Sequence, residues 1–209
     1  MSQDDGDRDP EQPTPADHGP DRLLEFHATL QRHRLSARTI RTVARIGEAL
    51  RQRTAATGVE WSAMIDTATA ARVGPILSGG EAYVDLDAQF AALDWRGQYL
   101  AIHTHPNSTS FSDVDGGTLA SNPPLRTIVV VGRNGTWYVL SKLPGRPTPN
   151  ALDVRLAYLQ QLRTIVPKYR TLVQSGQIDA VEAWRQQTHE AWELVALDLR
   201  LRYDRVVVS

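Results

Sequence analysis

A chain of 209 residues, 41% hydrophobic and 22% charged, suits one medium domain with appendages or at most two small ones, and can bury a core without disulfides or a structural metal. Its formal net charge of −1 gives no electrostatic footprint for nucleic acid or an anionic membrane. The absence of cysteine excludes disulfides, thiolate zinc sites, cysteine nucleophiles, iron–sulfur clusters and thiolate-ligated zinc deaminases, so any transition-metal site must be built from histidine and carboxylate.

Residues 1–20 hold Asp, Glu, Gln, Gly and Pro with almost no apolar side chain, the composition of a disordered tail. The start, MSQDDGDRDP, lacks the basic and apolar regions of a secretory signal, and no run approaches the roughly 18 apolar residues of a membrane span. A cytoplasmic location is the default expectation. Leu23–Gln31 is a short helix candidate. Ser36 reads as the N-cap of a helix in which Ile40, Val43, Gly47 and Leu50 recur at helical spacing until Gly58. Val59–Asp66 and Arg72–Leu77 read as paired strands, Tyr83–Leu86 as a third strand and Gln89–Asp94 as a helical turn. Gln98–Ile102 is a strand running into His103. Thr127–Val131 has the β-branched pattern of a strand buried on both faces, and Thr136–Leu140 returns as its hairpin partner. After the Pro/Gly-rich stretch Leu143–Asn150, Leu152, Leu156, Leu159 and Leu162 mark a helix that Pro167 kinks or ends. A last helix carries Val181, Trp184, Thr188, Trp192, Val195 and Leu199. The expected class is α/β (α+β): one α/β core over residues 21–145, then a helical extension over 146–209.

The stretch with chemical content is Ala101-Ile-His-Thr-His-Pro-Asn-Ser-Thr-Ser-Phe-Ser-Asp-Val-Asp115. Histidines two positions apart on an extended chain project to one side. Pro106 then stops the strand, and the polar loop can fold Asp115 back toward the imidazoles. Two histidines and a carboxylate leave one position open on a tetrahedral zinc, as a catalytic site requires, and the zinc makes bound water acidic near neutral pH. A hydrolase also needs a base and an oxyanion stabiliser. Glu60, a carboxylate among apolar strand neighbours, and Ser112, three residues before Asp115, are the candidates.

The set of a strand Glu, then His-x-His-Pro, then Ser-x-x-Asp resembles the signature of the JAMM (MPN+) zinc metallopeptidases, over roughly residues 36–142. The resemblance implies a cytidine-deaminase-like core, a mixed central sheet flanked by helices, and one Zn²⁺ per chain on His103, His105 and Asp115. It also implies Glu60 as water-polarising base and Ser112 as oxyanion donor. The substrate class it implies is an amide or isopeptide bond of a protein or peptide, including the C-terminal tail of a ubiquitin-like protein. The loop from Pro106 to Phe111 holds six residues, where many members have seven. Two other functions stay open: a non-catalytic interaction scaffold of the same fold, and a hydrolase of a non-protein amide. The sequence does not determine an oligomeric state.

Each residue also has a plainer reading. Asp113 is the competing carboxylate, although it reads better as the cap of a helix beginning near Val114. Glu60 also reads as a surface residue of an edge strand, with Glu48 and Glu81 as the other candidate bases, and Ser112 as a loop or cap serine. His189-Glu190 opens like a zincin motif, but Glu193 stands where the second His is required, leaving helix surface. His27 and His33 read as solvated helical residues. Trp184 and Trp192 read as packing of the helical pair, or as a partner contact if exposed.

Overall fold

Period-two and period-3.6 patterning resolve into alternating helices and strands in the computed structural model, which describes residues 20–81, 83–91 and 93–207. The tail expected over 1–20 lies outside the described residues except for Pro20, where helix α1 (Pro20–Arg32) begins. Helix α2 (Ala37–Thr57) starts at Ser36, whose hydroxyl accepts from Thr39 N, and ends at Gly58 in the left-handed region with φ 75°. Both caps follow from residue chemistry: a serine oxygen satisfies an orphan N–H, and glycine tolerates positive φ.

Strands β1 (Trp61–Asp66), β2 (Ala71–Ser78), β3 (Tyr99–His105), β4 (Leu125–Gly132), β5 (Thr136–Lys142) and β6 (Leu201–Val207) form one sheet in the order β2-β1-β3-β4-β5-β6. Only β3 and β4 run parallel, joined through α4 (Asp113–Ser121); the other pairs are antiparallel. The chain is therefore mixed α/β, as expected. β3 and β5 are buried along their whole length, as central strands covered on both faces must be. One face packs Ala63, Ile65, Leu100, Ile102, Val129 and Val139 against α1 and α2. The other packs Met64, Ala101, Ile128, Val130, Tyr138 and Leu140 against α4, α5 (Ala151–Gln174) and α6 (Ala180–Asp198). Among the described residues no helix is long and apolar enough to cross a membrane.

Four expectations are corrected. Tyr83–Leu86 forms no strand; it runs as irregular chain into the four-residue helix α3 (Asp87–Phe90). Pro167 does not end its helix: α5 continues through it, with Ile165 and Tyr169 on either side buried while Pro167 itself is exposed. Tertiary packing overrides the local penalty there. The chain does not end in helices: Arg200, at φ 55°, turns it into β6, which pairs with β5 from Thr136↔Val207 to Lys142↔Leu201. His33 is not solvated but buried, with Nδ1 2.7 Å from Ser141 Oγ and Nε2 2.9 Å from Asp204 Oδ2.

Candidate metal centre

Strand parity assembles the site. His103 and His105 alternate along β3 onto the face covered by α4 and α6, and both are buried. β1 lies beside β3 with Ser62 opposite His103, so Glu60, one pleat further along, reaches the level of His105. Glu60 is held just before β1 by Glu60 N–H to Gly80 O (2.8 Å) and Gly79 N–H to Glu60 O (2.9 Å). Its Oε1 lies 3.8 Å from His105 Nε2.

Asp115 arrives through a helix cap. Ser112, rather than Asp113, is the N-cap of α4; Asp113 occupies the first turn and pairs with Arg155 Nε at 2.9 Å. The Ser112 hydroxyl accepts from Asp115 N, and Asp115 Oδ2 accepts from Ser112 N (2.7 Å) and Ser112 Oγ (2.8 Å). This reciprocal capping box fixes the carboxylate with Oδ1 3.2 Å from His103 Nε2. The two histidine Nε2 atoms lie 3.1 Å apart, and Asp115 Oδ2 is 3.7 Å from His105 Nε2.

These separations can be tested against a metal. Zinc bonds of about 2.0–2.1 Å place tetrahedral ligand atoms roughly 3.3–3.4 Å apart. One candidate ligand atom each from His103, His105 and Asp115 falls within 4.8 Å of the others, so the three residues can hold a metal ion. The tautomer of His105 fits as well. Its Nδ1 is 3.1 Å from the Thr109 carbonyl and donates to it, which leaves the Nε2 lone pair free for a ligand bond. His103 Nδ1 and the cross-strand Ser62 Oγ are buried without hydrogen-bond partners among the described residues.

The electrostatics favour a cation. Burial alone would raise the Asp115 carboxyl, but the charge and hydrogen bond of His103 outweigh it and hold the group well below the usual range. Burial would likewise lower His103, yet Asp115 and Glu60 raise it. His105 is depressed to about 4 by burial and by the neighbouring His103. Glu60 is pushed up to about 7, chiefly by burial. Asp115 is thus ionised beside two imidazoles, of which only His103 readily takes a proton, while Glu60 sits near its own midpoint at neutral pH.

The C-terminal residues, which the sequence pattern sets apart from the core, help to build this centre. Trp192 Nε1 donates to Phe111 O at 2.6 Å, Arg185 Nε to Asn107 O at 2.9 Å, and Ser110 Oγ lies 2.9 Å from Tyr203 OH. The loop between His105 and Ser112 is therefore pinned by α6 and β6. His189, expected on the helix surface, is half-buried, with its Nδ1 2.8 Å from Tyr203 OH. Gly116 is required by the same packing, since a Cβ there would lie 2.2 Å from Trp192 Cη2. Sequence reasoning missed Thr109, Gly116, Trp192 and Tyr203 as supports; only the Ser/Thr-rich loop hinted at them.

The centre opens into a cleft of about 480 Å³ that Glu60, His103, His105, Ser112 and Asp115 line, with Tyr83 and Trp184 on its walls. Trp184 and Tyr83 are exposed, whereas Trp192 is fully buried. Of the alternative bases, Glu81 reaches the cleft rim and Glu48 pairs with Arg51 on α2, behind the sheet. His27 is partly buried, edge-on to Phe26. No family model, curated protein or solved structure matches the chain.

Proposed function

We propose that this chain is a zinc-dependent hydrolase of the JAMM type, cutting an amide or isopeptide bond. The observation that carries the reading is the convergence of His103, His105 and Asp115 at the floor of a cleft, with a further carboxylate, Glu60, 3.8 Å from His105 Nε2. His103 Nε2, His105 Nε2 and Asp115 would hold the ion. When bound, zinc supplies Lewis acidity and makes water a nucleophile near neutral pH.

The chain's own groups supply the rest. Glu60 Oε1 accepts the proton of the attacking water and passes it to the departing amine nitrogen, a shuttle suited to a carboxylate that burial makes more basic. The Thr109 carbonyl holds the His105 ring, and Ser112 holds the Asp115 carboxylate. Ser112 acts as oxyanion donor only if its hydroxyl exchanges Asp115 Oδ2 for the substrate oxygen. Asp115 then keeps the Ser112 backbone N–H. Exposed Tyr83 and Trp184 beside the metal residues suit an extended peptide, and a ubiquitin-like tail is the substrate the motif resemblance favours.

The test pairs metal content with turnover. Wild type should carry about one zinc per chain after mild dialysis and cleave one member of a panel of ubiquitin-like fusions, peptides and small amides. Glu60→Gln should keep the zinc while losing roughly 10²–10⁴-fold in rate. Wild-type protein that binds no zinc when it is offered would overturn the reading.

A further inference from the structure

We infer that a second cavity, at the end of the sheet opposite the metal centre, binds a phosphate-bearing small molecule. β3 runs from Tyr99, which lines this cavity, to His105 in the metal centre, so the two sites lie roughly 20 Å apart along the strand. The cavity measures about 820 Å³, within the range of small-ligand sites.

Its chemistry departs from that of the chain. In a protein of net charge −1, the cavity gathers Arg34, Arg96, Arg126, Lys142 and Arg202. Among the described residues none of these makes an ion pair. Two carboxylates also line it, but each caps its own turn: Asp66 Oδ1 accepts from Ala68 N and Thr69 N, and Asp94 Oδ1 from Arg96 N. Arg32, at the same rim, is paired with Asp204.

Lys142 is the sharpest signal. It is buried, and its ammonium donates to a neutral acceptor, Asn122 O, at 2.8 Å. Burial, with Arg126 adding like charge, lowers its pKa to about 8. A buried cation without a counter-charge is unfavourable, and an anion beside it relieves the cost. A second signal is Arg34, at φ 61° in the position after α1 where glycine is favoured.

Thr127, Ser141 and His33, which line the same cavity, belong to a buried chain of hydrogen bonds. Thr127 Oγ1 is 2.8 Å from Ser141 Oγ, which is 2.7 Å from His33 Nδ1, whose Nε2 reaches Asp204. Ser141, His33 and Asp204 follow the order of a catalytic triad. The Ser141 hydroxyl, however, is engaged by both Thr127 and His33, and the residue is only 4% exposed, so it is a structural member of the cavity wall and no free nucleophile. The guanidinium groups that line the cavity with these residues offer the forked donors that a phosphate dianion accepts.

The test is titration calorimetry on the full chain stripped of metal with a chelator, using pyrophosphate and adenosine monophosphate as probes. Saturable binding of about one ligand per chain is expected. It should weaken at least about tenfold in Arg96→Ala/Arg126→Ala, whose residues are exposed, and in Lys142→Met. His103→Ala should leave it unchanged, which keeps this inference separate from the hydrolase reading. Tighter binding of the nucleotide than of pyrophosphate would place the nucleoside in the remaining volume; comparable binding would assign the site to phosphate alone. No saturable binding of either probe, binding indifferent to all the cavity variants, loss of binding in His103→Ala, or a strong preference for single-stranded oligonucleotide would overturn it.

Discussion

The two ends of the central sheet handle charge in opposite ways. At the His105 end, each charged group faces a partner of opposite character: Asp115 between two imidazoles and the Ser112 cap, Glu60 beside His105. At the Tyr99 end, cations gather and the nearby carboxylates turn to their own backbone. The first arrangement suits a small cation, because two of its three candidate ligands, His105 and Asp115, are already held by second hydrogen bonds with Thr109 and Ser112. The second is a cluster of donors held apart by a scaffold, suited to a larger anion. One strand, β3, serves both ends because its side chains alternate regularly while its termini reach different loops.

The largest effect expected from breaking this contrast is at Asp115. Asp115→Asn preserves shape and can still accept the cap hydrogen bonds, but it removes the charge that balances His103. Zinc affinity should fall by more than about a hundredfold, since loss of outer partners alone costs 10–100-fold. Competition against a chromogenic chelator measures it. Phosphate-probe binding should not change in the same variant; a parallel loss there would mean that the two ends are not independent.

A smaller effect tests whether the C-terminal elements belong to the centre. Gly116→Ala places a methyl against Trp192 and Val154, both fully buried and unable to swing away. Overpacking should cost about 1–3 kcal/mol, partly offset by up to about 1 kcal/mol from the better helix propensity of alanine. Thermal unfolding should shift down by about 2–4 °C per kcal/mol lost. Because Gly116 follows Asp115 in the first turns of α4, zinc affinity should weaken as well. Lowered stability with unaltered zinc affinity would show that α6 supports the fold without tuning the centre.

How far the sequence foretold this arrangement differs between the ends for a physical reason. The convergence of His103, His105 and Asp115 was legible because the three lie in one short stretch, and strand parity alone aligns His103 with His105. Ser36 and Gly58 were legible as caps because capping is local. Ser112 and Asp113 both read as possible caps, with Asp113 preferred; the structure chooses Ser112, since both residue types cap well and only the backbone decides between them. β6 was missed: in Leu201-Arg-Tyr-Asp-Arg-Val-Val, polar residues interrupt the alternation, although Leu201 and Tyr203 pack on one core and Val206 on the other. The cation cavity was invisible because its members are scattered from Arg34 to Arg202, and no spacing rule joins residues that meet only through sheet order. His33 was misread for the same reason, its partners being Ser141 and Asp204.

The smallest effect concerns Arg34, where stability and binding should move in opposite directions. Helix α1 closes with Leu35 N–H on Leu30 O (3.2 Å) and Arg34 N–H on Gln31 O (2.8 Å), a pattern whose left-handed residue is ordinarily glycine. Arginine at φ 61° bears a steric penalty on the order of 1 kcal/mol that glycine would not. The greater freedom of glycine in the unfolded chain returns part of that gain. Arg34→Gly should therefore raise the melting temperature slightly, by about 1–3 °C. If Arg34 serves the anion cavity, the same variant should bind pyrophosphate more weakly than wild type. A stabilised variant with undiminished affinity would remove Arg34 from the site and leave Arg96, Arg126 and Lys142 to hold the phosphate. An unstabilised variant would mean that the arginine side chain contributes packing that offsets its backbone strain.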